Sequence, residues 1–270
     1  MKKIAFALMS LFAVATMFTA CGRLDDVQTT QEAVETSEDV VDMEVIFQDV
    51  EDDTDSDLET RGPQNDCPIV TFASPEGTFP NTITIDYGTE GCAGPNGHIR
   101  RGQIVINVSD TIVNAGATRV TNLVNFSVDD VALEGTRTVT NNGLNDAGLP
   151  SFTRTVEGGS ATWPDGITAT WAGTHTATMT QGFGTATVFD NVFSIVGNAN
   201  GVNRNGKVWS SQITEPITRK RTCAWASDGI REITVNGNTA TIDYGFGDEC
   251  DRKAMLTLPN GNTRIIVVRH

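Results

Sequence analysis

The sequence contains few of the residues on which metal and acid–base chemistry depend. Three histidines occur in 270 residues, at His98, His175 and His270. They form no His-Glu-x-x-His motif and no pair at helical spacing, and there is no Cys-x-x-Cys motif, so no zinc site is predicted. A Gly-x-Ser-x-Gly nucleophile elbow and a phosphate-binding glycine loop are also lacking. We therefore expect no metal, no cofactor and a non-enzymatic protein, although two carboxylates distant in sequence would suffice for a hydrolase.

Basic charge is scarce too, and its scarcity is uneven along the chain. The formal net charge is −15, and residues 22–60 hold 15 Asp and Glu against one basic residue, Arg23. From residue 61 onward the charges nearly balance, with 16 Lys and Arg against 19 Asp and Glu. Neither part carries the basic surplus that would neutralise phosphates, so nucleic acid is not an expected partner. The self-repelling acidic segment, residues 21–62, is predicted to be a disordered linker.

No apolar stretch is long enough to cross a bilayer, which takes roughly 20 residues. The N-terminus instead has the pattern of a signal peptide over residues 1–20, because two lysines precede an apolar run at residues 4–18. Residues 18–21 (Phe-Thr-Ala-Cys) resemble the lipobox of bacterial lipoproteins, with Phe18 in place of the usual Leu. This resemblance implies cleavage before Cys21, acylation of that cysteine with chains such as palmitate, and membrane contact through the lipid.

Two further segments resemble lipoproteins of the Bacteroidota. Residues 23–26 (Arg-Leu-Asp-Asp) are similar to the basic-then-acidic export signal of their surface lipoproteins. Residues 241–252 (TIDYGFGDECDR) and the Pro-Asn-Gly turn at residues 259–261 resemble the C-terminal region of uncharacterised outer-membrane lipoproteins from that group. The resemblance implies a lipid-anchored protein of the outer membrane, displayed on the cell surface. It implies no activity and no catalytic residues.

Residues 63–270 are predicted to form a single all-β domain. Runs rich in Thr, Val and Ile recur between Gly, Asn, Asp and Pro, for example at residues 103–108, 119–128 and 167–180. Short connections favour antiparallel neighbours. About a dozen strands in meander order predict one large antiparallel sheet system, either a two-sheet sandwich or a curved open barrel.

Two similar units, residues 67–108 and 223–268, stand at the ends of this domain. The pentapeptide Thr-Ile-Asp-Tyr-Gly occurs at residues 84–88 and again at residues 241–245, each time between two cysteines. Four cysteines allow three pairings, and sequence alone does not choose among them. Matching units with one cysteine at each end favour one bridge within each unit. The disulfides expected on this pattern are Cys67–Cys92 and Cys223–Cys250.

One aromatic residue is the candidate for ligand contact. Trp163 begins the turn sequence Trp-Pro-Asp-Gly, which would present its ring at a hairpin tip, where it could stack on a sugar. His175 alternates with apolar residues along one strand and is expected to pack in the core. The leading hypothesis is a lipid-anchored cell-envelope lipoprotein that binds an extracellular glycan or protein. The alternatives are a structural or assembly component of the outer envelope and a carboxylate-dependent hydrolase.

Overall fold

In the computed structural model, a long helix is followed by a sheet of 14 antiparallel strands. The structure describes residues 18–60, 67–93, 97–187, 189–223, 225–247 and 250–267. Helix α1 spans Phe18–Thr60. The strands are β1 (Ile69–Phe72), β2 (Asn81–Asp86), β3 (Cys92–Ala93), β4 (Ile99–Val108), β5 (Thr118–Val128), β6 (Val131–Leu144), β7 (Pro150–Thr162), β8 (Thr168–Gln181), β9 (Val192–Val202), β10 (Val208–Lys220), β11 (Ala226–Val235), β12 (Asn238–Asp243), β13 (Lys253–Thr257) and β14 (Thr263–Val267).

The strands follow one another across the sheet almost exactly in chain order. The path runs β1-β2-β4-β5 and onward to β14, with the short β3 paired to β4 off the path. The predicted all-β antiparallel meander is therefore confirmed. It takes the form of one open curved sheet, with β1 and β14 as its two edges, rather than two stacked sheets.

Bulges give the sheet its curvature. The register shifts in every consecutive pair from β4–β5 to β10–β11, and each such bulge bends its strand and increases the local twist. One of them lies at Gly102 in β4, where φ is +82° and an added Cβ would lie 2.1 Å from the carbonyl oxygen of Asn125. Only glycine fits that backbone and that space. The curled sheet thus has a concave face, and the hydrophobic core lies on it.

Helix α1 fills this concave face. Its apolar side chains recur at helical spacing and join one buried cluster with the inward-facing residues of the sheet. The buried apolar residues of the helix are Ala33, Val34, Val40, Val41, Met43, Phe47 and Val50. The prediction of a disordered linker over residues 21–62 is therefore wrong for residues 29–50. These residues bury apolar surface against the sheet, and five of their acidic side chains are paired with residues of the sheet or its loops: Glu32, Glu35, Glu38, Asp39 and Glu44.

The loops of the sheet lie alternately at its two ends, as they must in an antiparallel meander. Helix α1 first contacts three of them, at residues 203–207, 236–237 and 258–262, which we call the entry loops. Thr30 accepts a hydrogen bond from Asn260 at 3.2 Å, and Glu32 accepts one from Asn236 at 2.8 Å. The last residues of β10 and β12 and the first residues of β11 and β13 lie at the opposite end, which we call the far end.

Both disulfides predicted from the internal repeat are present. Cys67 is bonded to Cys92 with a Cα–Cα distance of 5.9 Å, and Cys223 to Cys250 with a Cα–Cα distance of 5.0 Å. The strands of the two units are also paired alike. Asp86 of β2 lies opposite residues of β1 and β4, and Asp243 of β12 lies opposite residues of β11 and β13.

Candidate functional site

Polar contacts fix the acidic helix to the entry loops. The side-chain amide of Asn203 donates to Thr36 Oγ1 at 2.8 Å, in a fully buried setting. Asp39, which is 5 % exposed, accepts from the backbone N–H of Arg204 at 2.9 Å and from its Nε at 2.6 Å. Because buried charges are stable only when they are paired and hydrogen-bonded, these contacts define the position of the helix. The remaining pairs are Glu32–Lys207 at 3.1 Å, Glu35–Asn205 at 2.6 Å and Glu38–Arg264 at 2.9 Å.

Deeper in the concave face, one carboxylate of the helix meets a buried arginine of the sheet. Arg231 of β11 is 3 % exposed and donates from Nη1 to Glu44. Burial opposes the charge of Arg231, but Glu44 and Tyr244 outweigh it and raise the pKa of the guanidinium, which stays charged. Burial raises the pKa of Tyr244 to about 12; Arg231 opposes this rise and Glu44 adds to it. The phenol is therefore a neutral donor at physiological pH.

Beside this ion pair lies a partly open cavity of about 150 Å³ between α1 and the concave face, which we call the first cavity. Its walls are largely apolar and aromatic, and the charged side chains among them are mostly basic; the carboxylates are Glu44 and Asp251. The basic residues are Arg137, Arg154, Arg219, Arg231, Arg252 and Lys253, joined by His175. The cavity is therefore an electropositive site, even though the whole chain is strongly acidic.

Trp171 and His175 form the inner wall of the first cavity. Their rings stack with centroids 6.3 Å apart, and the ring of Phe47 on the helix lies 5.4 Å from that of Trp171. Trp171 is 6 % exposed, and its indole N–H has no hydrogen-bond partner in the described part of the chain. Nε2 of His175 likewise has none there, and lies 3.9 Å from Glu44 Oε1. A buried donor without a partner is costly, so the pair marks a place where a bound group would gain hydrogen bonds.

The His175 ring is packed in the core, as expected from its strand. Burial lowers its pKa; Glu44 opposes the shift, and Arg231, Arg137 and Arg154 add to it. The imidazole is therefore neutral at pH 7 and can donate or accept a hydrogen bond.

The second disulfide shapes the far end of the first cavity. Cys223 lies two residues before Trp225, and Cys250 lies directly before the cavity residues Asp251 to Lys253. The guanidinium of Arg252 stacks over the Trp225 ring at 4.9 Å, which joins the two segments a second time. The bridge that the repeat predicts thus holds two walls of the site together.

A second, more open cavity of about 370 Å³ contains the sequence candidate Trp163. The Trp163 turn forms as predicted, with the Gly166 N–H donating to the Trp163 carbonyl at 2.9 Å. The ring is not displayed at the tip, however. It is partly buried, and the Arg204 guanidinium covers one face at 4.9 Å. Arg204 is held in turn by Asp39 of the helix, so the sequence could not show that this ring face is covered.

The predicted lipid site and signal peptide lie largely outside the described part of the structure. Residues 1–17 are not described, and for Cys21 only the backbone position within α1 is given. Within the described residues, no helix is both long and apolar enough to span a bilayer. The same residues bring together no group of three His, Cys, Asp or Glu side chains that could hold a metal ion.

Comparison with known proteins returned no relative: no protein-family model, no curated protein and no solved structure matches the chain. Function is therefore inferred from the residues that line the cavities.

Sequence reasoning missed most of the first cavity. Its charge places Glu44 in the predicted linker, although apolar residues recur around it every three or four positions at Val40, Met43, Phe47 and Val50. That spacing was the signal for a packed helix. No local signal identifies Arg154, Arg231 or Arg252, because a lone arginine on a strand usually faces solvent.

Proposed function

We propose that this protein is a lipid-anchored lipoprotein of the cell envelope that binds an extracellular ligand without catalysing a reaction. It is held at the outer membrane through acylated Cys21 and displayed on the cell surface, and its ligand is a glycan or a protein. The first cavity is the binding site in this proposal, because aromatic and charged side chains converge there around a concave space.

The observation that carries the proposal is that the start of helix α1, which contains Cys21, and the first cavity lie toward opposite ends of the sheet. Helix α1 contacts the entry loops from Thr30 onward, nine residues after Cys21. Nine residues reach at most about 30 Å even when fully extended. A lipid on Cys21 therefore keeps the entry loops close to the membrane. Ile217, Trp225 and Tyr244 line the first cavity from the far end, which then faces away from the membrane.

One specific observation favours the hydrolase alternative, since Glu44 and Asp251 line the same cavity. Two carboxylates across a bound sugar are the minimum for glycoside hydrolysis. Glu44 is already bonded to the buried Arg231, which makes it a counter-ion rather than a proton donor. A screen of glycoside and ester substrates tests this alternative. We expect no turnover, whereas turnover that is lost in both Glu44→Gln and Asp251→Asn would establish the hydrolase.

Protease shaving of intact cells tests the proposal. Arg23 and Arg61 are the two basic residues between Cys21 and the first strand, so trypsin has two sites there. We expect trypsin to release the β domain from intact cells, and to do so more slowly for Arg23→Gln combined with Arg61→Gln. Palmitate should label the wild-type protein and not Cys21→Ala. Absence of label on the wild type would overturn the lipid anchor, and protection until the outer membrane is broken would overturn surface display.

A further inference from the structure

We propose that the first cavity binds a carboxylate carried on a single six-membered ring, as in a uronic acid residue of an acidic glycan or in an aromatic acid. This inference rests on the proposed binding function and specifies the chemistry of its ligand. The shared chemistry is a negatively charged group attached to a flat or puckered ring.

The charge of the cavity walls selects for an anion. Six arginines and lysines line it against two carboxylates, and they come from β6, β7, β10, β11 and the start of β13. Arg154 and His175 are direct cross-strand neighbours. Arginine binds carboxylates through two parallel hydrogen bonds, and such charge-assisted bonds are strongest where water is excluded.

The helix shows that this part of the concave face accepts a carboxylate. Glu44 is bonded to Arg231 and lies 3.9 Å from His175, so one carboxylate of the chain already compensates part of the positive charge. Asp251 is the other carboxylate in the cavity lining. Positive side chains therefore outnumber negative ones among the lining residues, which suits a ligand that carries a carboxylate.

A second, independent observation points to a ligand. The indole N–H of Trp171 and Nε2 of His175 are buried without hydrogen-bond partners in the described chain, and both residues line the cavity. A ligand oxygen placed against either nitrogen would supply the missing hydrogen-bond partner. The rings of Trp171, Trp225 and Tyr244 supply the flat apolar surfaces on which a ring can pack.

The volume of the cavity limits the size of the bound part. A cavity of about 150 Å³ accommodates one six-membered ring such as benzene. A longer acidic glycan would therefore place one ring inside and extend the rest of its chain outward from the far end.

Calorimetric titration of the full mature chain carrying Cys21→Ser tests the inference, with D-glucuronate and benzoate as acidic probes and D-glucose and benzyl alcohol as neutral analogues. We expect at least one acid to bind at least tenfold more tightly than its neutral analogue. Binding of glucuronate but not benzoate would identify the ligand as an acidic glycan. Binding of benzoate but not glucuronate would identify it as an aromatic acid. If an acid and its neutral analogue bind equally well, the ligand need not be an anion, and the proposed binding function still stands. If none of the four compounds binds, the first cavity is not the binding site proposed here.

Three substitutions assign the binding to the cavity. We expect Arg154→Gln to weaken the acid at least tenfold, and Trp171→Phe, which removes only the indole N–H and part of the ring, to weaken it about threefold to tenfold. Arg264→Gln is the matched control, because Arg264 pairs with Glu38 near the entry loops and does not line the cavity. Unchanged affinity in both cavity variants, with their melting temperatures retained, would overturn the site.

Discussion

The two disulfide-braced units at the ends of the sheet share one backbone plan. In the first, Asp86 Oδ1 accepts the N–H of Gly88 at 2.8 Å; in the second, Asp243 Oδ1 accepts the N–H of Gly245, also at 2.8 Å. Both aspartates therefore close the turn that leads from a strand toward a disulfide, because an Asp side chain can accept the backbone N–H of the residue two positions on.

The units differ in what surrounds their shared tyrosine. Tyr87 is 2 % exposed and packs edge-on against Phe126, with ring centroids 5.7 Å apart. Tyr244 is only partly buried, lines the first cavity and faces the charge of Arg231. The reason lies in the neighbouring strands. β1 is a four-residue edge strand, whereas β11 has ten residues, pairs on both sides and carries Arg231 to the helix. One local backbone arrangement thus contributes to the packed core at one end of the sheet and to a cavity wall at the other.

The largest expected effect comes from truncating Tyr87 and Tyr244, because one ring packs in the core and the other borders the first cavity. Tyr87→Ala should lower the free energy of unfolding by about 4 kcal/mol, because a large ring leaves a filled core. Tyr244→Ala should cost about 2 kcal/mol, since its ring already borders a cavity, and it should weaken glucuronate or benzoate binding. Urea unfolding measures the first quantity and calorimetry the second. Equal losses of stability would mean that the two environments do not differ.

Removing either disulfide should lower the free energy of unfolding by a similar amount, but only removal of Cys223–Cys250 should weaken ligand binding. They close loops of 25 and 27 residues, so removing either should cost about 3 kcal/mol on the chain-entropy model. Cys223→Ala with Cys250→Ala should also weaken the acidic probe, because Trp225 and Arg252 lose their fixed separation. Cys67→Ala with Cys92→Ala is the control and should leave affinity unchanged. If only the Cys67→Ala, Cys92→Ala variant lost binding, the ligand site would lie at the first disulfide-braced unit and not at the second.

Substitution of Asp86 and Asp243 tests whether both aspartates stabilise the same turn. Asp86→Ala and Asp243→Ala each remove one hydrogen bond to a glycine N–H, which should cost about 1 kcal/mol in urea unfolding. Asp86→Ala would also remove the bond that Asp86 Oδ2 accepts from Gln103 Nε2 at 2.7 Å, so its cost is measured in a Gln103→Ala background. Asp86→Asn and Asp243→Asn keep an oxygen acceptor and should restore most of the loss. A difference of more than about 1 kcal/mol between the two alanine variants would show that only one aspartate serves the turn.

The smallest effect concerns His175 and pH. Its folded pKa is lowered from the ordinary value of about 6.5, so the unfolded chain takes up the proton more readily than the native one. Its contribution to stability is therefore complete above about pH 6.5 and is lost as the pH falls toward the folded pKa. Glu44→Gln removes the one opposing charge and should lower the pKa further, as an NMR titration of the imidazole would show. A pKa at or above 6.5 in the native protein would contradict the packing described for this ring.

The sheet and its bridges could be predicted because their signals are local. Alternating Thr, Val and Ile runs mark strands, and the repeated pentapeptide between cysteines indicates the pairing. The docked helix could not be predicted from charge, since the partners of its acids are remote in sequence. Asp39 meets Arg204 at a separation of 165 residues, and Glu44 meets Arg231 at a separation of 187.

The candidate site could be predicted only in part, for the same reason. Trp163 was identified from its turn and does line a cavity, but Arg204 covers its ring from another hairpin. The first cavity draws its walls from the helix and from strands β6 to β13. No window of sequence contains enough of those residues to show that they converge.

Amide hydrogen exchange of the full mature chain carrying Cys21→Ser tests most directly whether the acidic segment is a docked helix. The account predicts that amides between Ala33 and Phe47 are protected as strongly as those in β8 and β11, because the helix is buried in the same core. Exchange of those amides within seconds, with the strands still protected, would contradict it. The acidic segment would then be a free linker, and the first cavity would lose the wall that contains Glu44.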